Sequence, residues 1–135
     1  MSDHIVDEAW LTDLVAAWPG AEAAEKPEWE TFVLTVSGKI FGIFGVGSGE
    51  LLLTLKGNPL DNEALRQEFP EVVPGYHVNK KHWNSVRLEA SSLGREHLAE
   101  LIEESYALVF ASLTKKLQAE LREIHKMDRL TREEE

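Results

Sequence analysis

The chain contains no cysteine, which excludes disulfides, thiolate-bound zinc and a cysteine nucleophile together. It has no apolar run near the roughly 18 residues that a membrane-spanning helix requires. Its opening residues, Met1-Ser2-Asp3-His4, lack the basic stretch and apolar core of a secretory signal, so a cytoplasmic protein without a membrane partner is expected. Basic residues are scarce as well: 14 Lys and Arg stand against 24 Asp and Glu, for a net charge of −10. A field of that sign repels phosphate backbones at long range, so any nucleic-acid surface has to be local. The deficit is uneven. Residues 1–75 carry four basic against thirteen acidic side chains, whereas residues 76–94 set Lys80, Lys81 and Arg87 against Glu89 alone, and residues 113–132 are again net positive.

What is present suits one soluble globular domain: 135 residues, 43% of them hydrophobic and 28% charged, are enough for a single core. Residues 4–18 read as an amphipathic helix, with Ile5, Val6, Ala9, Leu11, Leu14, Val15 and Trp18 at three- and four-residue spacing, capped by Ser2 or Asp3 and stopped by Pro19-Gly20. Residues 21–28 read as a polar connector. From Trp29 the repeat becomes two. Phe32, Leu34 and Val36 form one strand, Ser37-Gly38 a tight turn, Lys39 to Val46 a second strand, the glycines around residue 47 another turn, and Leu51, Leu53 and Leu55 a third strand. Gly57-Asn58-Pro59 breaks the sheet ahead of a short helix from Asp61 to Phe69. Val86 and Leu88 mark a fourth strand. After Gly94 as N-cap, a long helix starts at Arg95 and either extends or restarts beyond Leu113 through Leu117, Leu121 and Ile124, and residues 131–135 are expected to fray. The expected fold is therefore α+β: a two-layer sandwich in which helices cover one face of a mostly antiparallel sheet.

The segment Pro74-Gly75-Tyr76-His77-Val78-Asn79-Lys80-Lys81-His82-Trp83-Asn84-Ser85-Val86 resembles the signature of the MmcQ/YjbR-like proteins. Trp18-Pro19-Gly20, Gly38-Lys39-Ile40-Phe41, Leu55-Lys56, Ser105-Tyr106-Ala107-Leu108-Val109 and Leu113-Thr114-Lys115-Lys116-Leu117 follow the same family in order. The resemblance spans residues 10 to 118 and leaves residues 119–135 as a helical C-terminal extension of a single domain, 1–135. It implies a CyaY-like (frataxin-like) fold and a double-wing type of DNA-binding protein. The family usually has proline where Thr114 stands, which puts the helix break at that point in question.

The same segment is the chain's richest source of chemistry. Lys80 and Lys81 can hold phosphate oxygens as point charges, Asn79 and Asn84 supply neutral hydrogen bonds, and His82 and Trp83 can stack on a base. Arg87 extends such a patch, and Lys115 and Lys116 join it if the fold brings them near. The competing structural reading has Asn79 capping one turn, Tyr76 and Trp83 plugging the seam between sheet and helices, and the lysines left in solvent. Catalysis is not expected: Tyr76, His77 and His82 could move protons, but no carboxylate is paired locally with either histidine. Ser105 lies in a helix, and His97 and His125 read as surface residues. No metal or other cofactor is expected either, because Asp3, Asp7 and Glu8 are ordinary acids of an amphipathic helix. The glycine run at 45, 47 and 49 lies between strands, where a phosphate loop would lead into a helix. Trp10, Trp18 and Trp29 read as core or seam. The expected protein is a non-enzymatic DNA binder, with a protein- or small-ligand-binding adaptor as the alternative; a monomer is favoured.

Overall fold

A computed structural model of the chain describes residues 6–47, 49–76 and 78–134. Its element order is α1 (Glu8–Val15), β1 (Ala21–Lys26), β2 (Thr31–Val36), β3 (Lys39–Gly47), β4 (Glu50–Lys56), α2 (Pro59–Glu68), β5 (Val72–Pro74), β6 (Trp83–Arg87), α3 (Arg95–Ala111) and α4 (Lys115–Glu134), with 3-10 turns at Pro27–Trp29 and Leu88–Ala90. The six strands make one sheet in the order β1-β2-β3-β4-β6-β5, antiparallel at each pairing. The expected α+β two-layer architecture is what forms, with the helices on one face of the sheet.

Period-two burial decides which face that is. Phe32, Leu34, Val36, Phe44, Leu53, Leu55 and Val86 join Leu98, Ile102, Tyr106, Val109 and Phe110 of α3, and Leu11 and Val15 of α1, in one core. Ser37 and Gly38, both at positive φ, close the β2–β3 hairpin, the geometry that a two-residue turn of this hand demands. Gly94 caps α3 as expected.

The structure departs from the sequence expectations in several places. The connector at residues 21–28 contains a strand, β1, paired along its whole length with β2. Ala21 and Ala23 pack on the core while Glu22 and Lys26 lie on the other face, so an edge strand forms without large apolar side chains. The first helix is shorter than residues 4–18. Asp7 is its cap, accepting the Trp10 N–H at 2.8 Å, while Ser2 and Asp3 lie outside the described residues. The fourth expected strand, β6, begins at Trp83, and Leu88 has left it for a 3-10 turn. The long helix ends at Ala111, and Thr114 takes over the break by capping α4: its Oγ1 accepts the Leu117 N–H at 3.1 Å. Ser112 is the C-cap of α3 and Thr114 starts the next helix through its side chain, where a proline would mark the break by lacking a donor. Helix α4 runs to Glu134, and Glu135 lies outside the described residues. No described helix is long and apolar enough to cross a membrane.

Candidate functional site

Alternation places Thr31, Val33, Thr35, Ile43, Leu52, Thr54, Lys56, Trp83, Ser85 and Arg87 on the sheet face opposite the helices. Chain from Gly75 to His82 folds back over part of that face. Two backbone bonds hold its ends, Gly75 N–H to the Trp83 carbonyl and Gly57 N–H to the His82 carbonyl, each 2.9 Å. The Tyr76 N–H donates to Ser85 Oγ at 3.1 Å, and that hydroxyl lies 2.7 Å from Thr54 Oγ1 in a buried pair. Tyr76 and Trp83 therefore belong to the helix-free side and do not plug the seam between sheet and helices. Trp29, expected in the core or seam, sits at the rim of the same face and is 50% exposed.

Asn79 organises the exposed turn. Its Oδ1 accepts the N–H groups of Lys81 at 2.9 Å and His82 at 3.1 Å, which fixes one turn and sets Lys80, Lys81 and His82 outward, all exposed. Lys80 Nζ donates back to the Gly75 carbonyl at 3.1 Å. Trp83 is half-buried, and the ammonium of Lys56, its register partner, lies 5.4 Å from its ring centroid. Among the described residues, none of Lys56, Lys80 and Lys81 is in an ion pair.

Two of the residues proposed for this surface are committed elsewhere. Asn84 is buried on the core face: its Oδ1 accepts from Arg66 Nη1 at 2.7 Å and its Nδ2 donates to the Asn62 carbonyl at 3.1 Å. Asn62 in turn donates to the Lys81 carbonyl at 3.1 Å, so these amides hold the turn from beneath. Arg87 lies at the far end of β6, where its Nε is 2.9 and 3.1 Å from the two carboxylate oxygens of Glu50. Lys115 and Lys116 start α4 in the helix layer. Lys39 Nζ, 3.4 Å from Ser112 Oγ, ties the α3–α4 break to the start of β3. Because Gly42 pairs with Leu55, that start lies at the same end of the sheet as Lys56. Lys115 and Lys116 thus share an end with the Lys80–Lys81 turn but not its face.

The remaining titratable candidates are structural in their placement. Ser105 Oγ is buried and donates to the Lys56 carbonyl at 2.6 Å. His97 packs edge-on against Phe69 at 5.4 Å between centroids. His125, expected at the surface, is half-buried, and its Nε2 has no partner among the described residues. His77 lies outside the described residues, as does Asp3. Among the described residues, no group of three or more His, Asp or Glu is placed to hold a metal ion.

Comparison with known proteins adds the lineage of this arrangement. A family model described as YjbR matches residues 16–108, which takes in the turn, the helix-free face and most of α3 but stops short of α4. The uncharacterized protein YbdF of Escherichia coli O157:H7 is 35% identical over 96 residues, covering 71% of this chain and 76% of that protein. The uncharacterized protein YjbR of Escherichia coli K12 is 32% identical, covering 71% and 80%. The crystal structure of the Deinococcus radiodurans protein DR2400 is 31% identical, superposes with a TM-score of 0.76 and covers 90% of this chain and 91% of that one.

Proposed function

The chain belongs to the YjbR family, and within it we propose a non-enzymatic protein that binds single-stranded nucleic acid at the corner formed by Lys56, Asn79, Lys80, Lys81, His82 and Trp83. One observation carries the reading: an outward turn, locked by Asn79, presents two lysines and a histidine beside a partly exposed tryptophan that already carries a third lysine. Single strands are held by this combination of cations along the backbone and aromatic rings under the bases. The acidic remainder of the molecule suits a small, local contact of two or three phosphates rather than a long duplex footprint.

Lysine-to-glutamate substitution tests the reading. Wild-type protein should bind a short fluorescent oligonucleotide at low salt, with a slope of log K against log salt that falls by roughly 0.7 for each phosphate contact removed. Lys81→Glu, and Lys80→Glu with Lys81→Glu, should abolish that binding while the melting temperature of Lys81→Glu stays unchanged, since its side chain is exposed. Wild-type protein that ignores oligonucleotides at low salt would end the proposal.

A further inference from the structure

The helix-free face carries a second feature beside the lysine turn. The folded-back loop and strands β2 to β4 enclose a groove of about 430 Å³, walled by Ile43, Leu52, Tyr76, Val78 and Trp83, with Trp29 at its rim. Its floor depends on glycine. A β-carbon at Gly45 would fall 2.9 Å from Thr31 Cγ2, and one at Gly47 would fall 2.6 Å from Tyr76 Cδ1. Side chains at these two positions would close the space that Tyr76 and the strands leave open. The volume falls within the range of small-molecule sites, which are mostly apolar with a few placed polar groups.

Three observations specify the ligand's chemistry. Among the described residues, no Asp, Glu, Lys or Arg lines the groove, and apart from Thr31 and Thr54 its walls are apolar and aromatic. Thr31, which lines it, has a hydroxyl oxygen that is buried with no hydrogen-bond partner among the described residues; such a group is costly unless something pairs with it. Both lining tryptophans carry a lysine: Lys26 Nζ lies 4.5 Å from the Trp29 ring and Lys56 Nζ 5.4 Å from the Trp83 ring. Lys26 is shared with Glu28 at 3.9 Å, whereas Lys56 has no ion pair among the described residues, so the unneutralised charge is at the Trp83 end.

We propose that this groove binds a small, flat aromatic carboxylate, its ring between Tyr76, Leu52 and Ile43 and its carboxylate toward Lys56. The site does not rest on the nucleic-acid reading; it shares Lys56 and Trp83 with that surface and adds walls that a strand held at Lys80 and Lys81 does not need.

Naphthalene-2-carboxylate and its neutral carboxamide are suitable probes, titrated by calorimetry into the full chain. The carboxylate should bind saturably at one site, and the carboxamide about two- to fivefold more weakly, the scale of one exposed ion pair. Lys56→Met should remove that difference. Ile43→Trp, which fills the groove from the sheet, should lower affinity by more than about tenfold. Val78→Trp, which fills it from the loop, should do the same and serves if the first variant fails to fold. Lys81→Glu, at an exposed side chain, should leave carboxylate binding intact, which separates this site from the oligonucleotide surface. Absence of saturable binding to the wild type, or full affinity in a folded groove-filling variant, would overturn the proposal. Equal affinity for the carboxamide would overturn its anionic part.

Discussion

Tyr76 occupies the space that Gly47 leaves without a side chain: a β-carbon at position 47 would stand 2.6 Å from Tyr76 Cδ1 and 2.7 Å from Leu52 Cδ1. This close approach helps to seat the family's signature loop on the sheet, beside its backbone bonds at Gly75, Tyr76 and His82. Both neighbours are held, Leu52 within β4 and Tyr76 through its backbone bond to Ser85, so neither yields freely.

Gly47→Ala is therefore expected to force the Gly75–His82 loop off the sheet face. The cost should be about 1–3 kcal/mol, the usual scale for overfilling a packed site, read as a lower midpoint in urea unfolding. Tyr76→Ala combined with Gly47→Ala should recover much of the loss attributable to the clash, because the colliding ring is gone. A double variant no better than the sum of the two singles would mean that Gly47 matters for another reason.

How much of this was legible in the sequence follows from what each residue's neighbours in the chain can reveal. Phe32-Val33-Leu34-Thr35-Val36 announces a strand because its own alternation creates the buried face. Ala21 to Lys26 could not, since Ala-Glu-Ala-Ala-Glu-Lys has no large apolar side chain and is ordered only by pairing with β2. The signature loop was visible as a cluster of chemistry, but not the direction of its parts. Asn79 and Asn84 are five residues apart and identical in type, yet one caps an exposed turn and the other is buried against Arg66 and Asn62. Nothing local separates them, because the difference comes from α2, twenty residues upstream. Arg87 is similar: its neutralisation by Glu50 depends on the β4–β6 pairing. The groove is illegible for the same reason, as its walls come from β2, β3, β4, β6 and the loop, and its two glycines resemble an ordinary flexible turn.

Glu71 contributes to stability on the acid side. Its carboxylate is buried, 2.6 Å from the Ser92 N–H and 2.9 Å from Ser92 Oγ. The backbone N–H of Ser92 is the foremost cause that holds its pKa below the ordinary value of 4.5, with further hydrogen bonds from its own backbone and from the hydroxyls of Ser92 and Ser91 outweighing the opposing effect of burial. A carboxylate whose folded pKa is lowered stabilises the fold above the unfolded value, and that contribution disappears as pH falls through the folded value. Thermal melts from pH 6 down to pH 2 should accordingly show a steeper acid limb for wild type than for Glu71→Gln. Parallel acid limbs would mean that the hydrogen bonds at Ser92 serve the neutral acid equally well.

Tyr106 contributes on the alkaline side and also ties the aromatic core to the chain reversal after α1. Its hydroxyl donates to the Pro19 carbonyl at 2.6 Å, and its ring packs with Trp18 at 5.2 Å, Phe41 at 5.6 Å and Phe110 at 5.5 Å between centroids. Burial pushes its pKa up to about 12 from 10.0, against a smaller opposing pull from the Arg122 guanidinium on α4. A raised folded pKa means that the phenol's contribution is fully present below pH 10 and is lost as pH climbs through 12, because the unfolded chain ionises first. Tyr106→Phe should then do two separable things. At pH 7 it should cost about 1 kcal/mol, since the Pro19 carbonyl loses its donor while the ring stack persists. Between pH 10 and 12 it should flatten the decline in melting temperature seen in the wild type. Because the guanidinium favours the phenolate, Arg122→Ala should leave the onset of the decline near pH 10 and make it deeper, extending its upper end, which links α4, beyond the family-matched region, to the core it packs on. A Tyr106→Phe variant with an undiminished alkaline limb would assign that limb to other groups and leave the hydroxyl with only its structural bond.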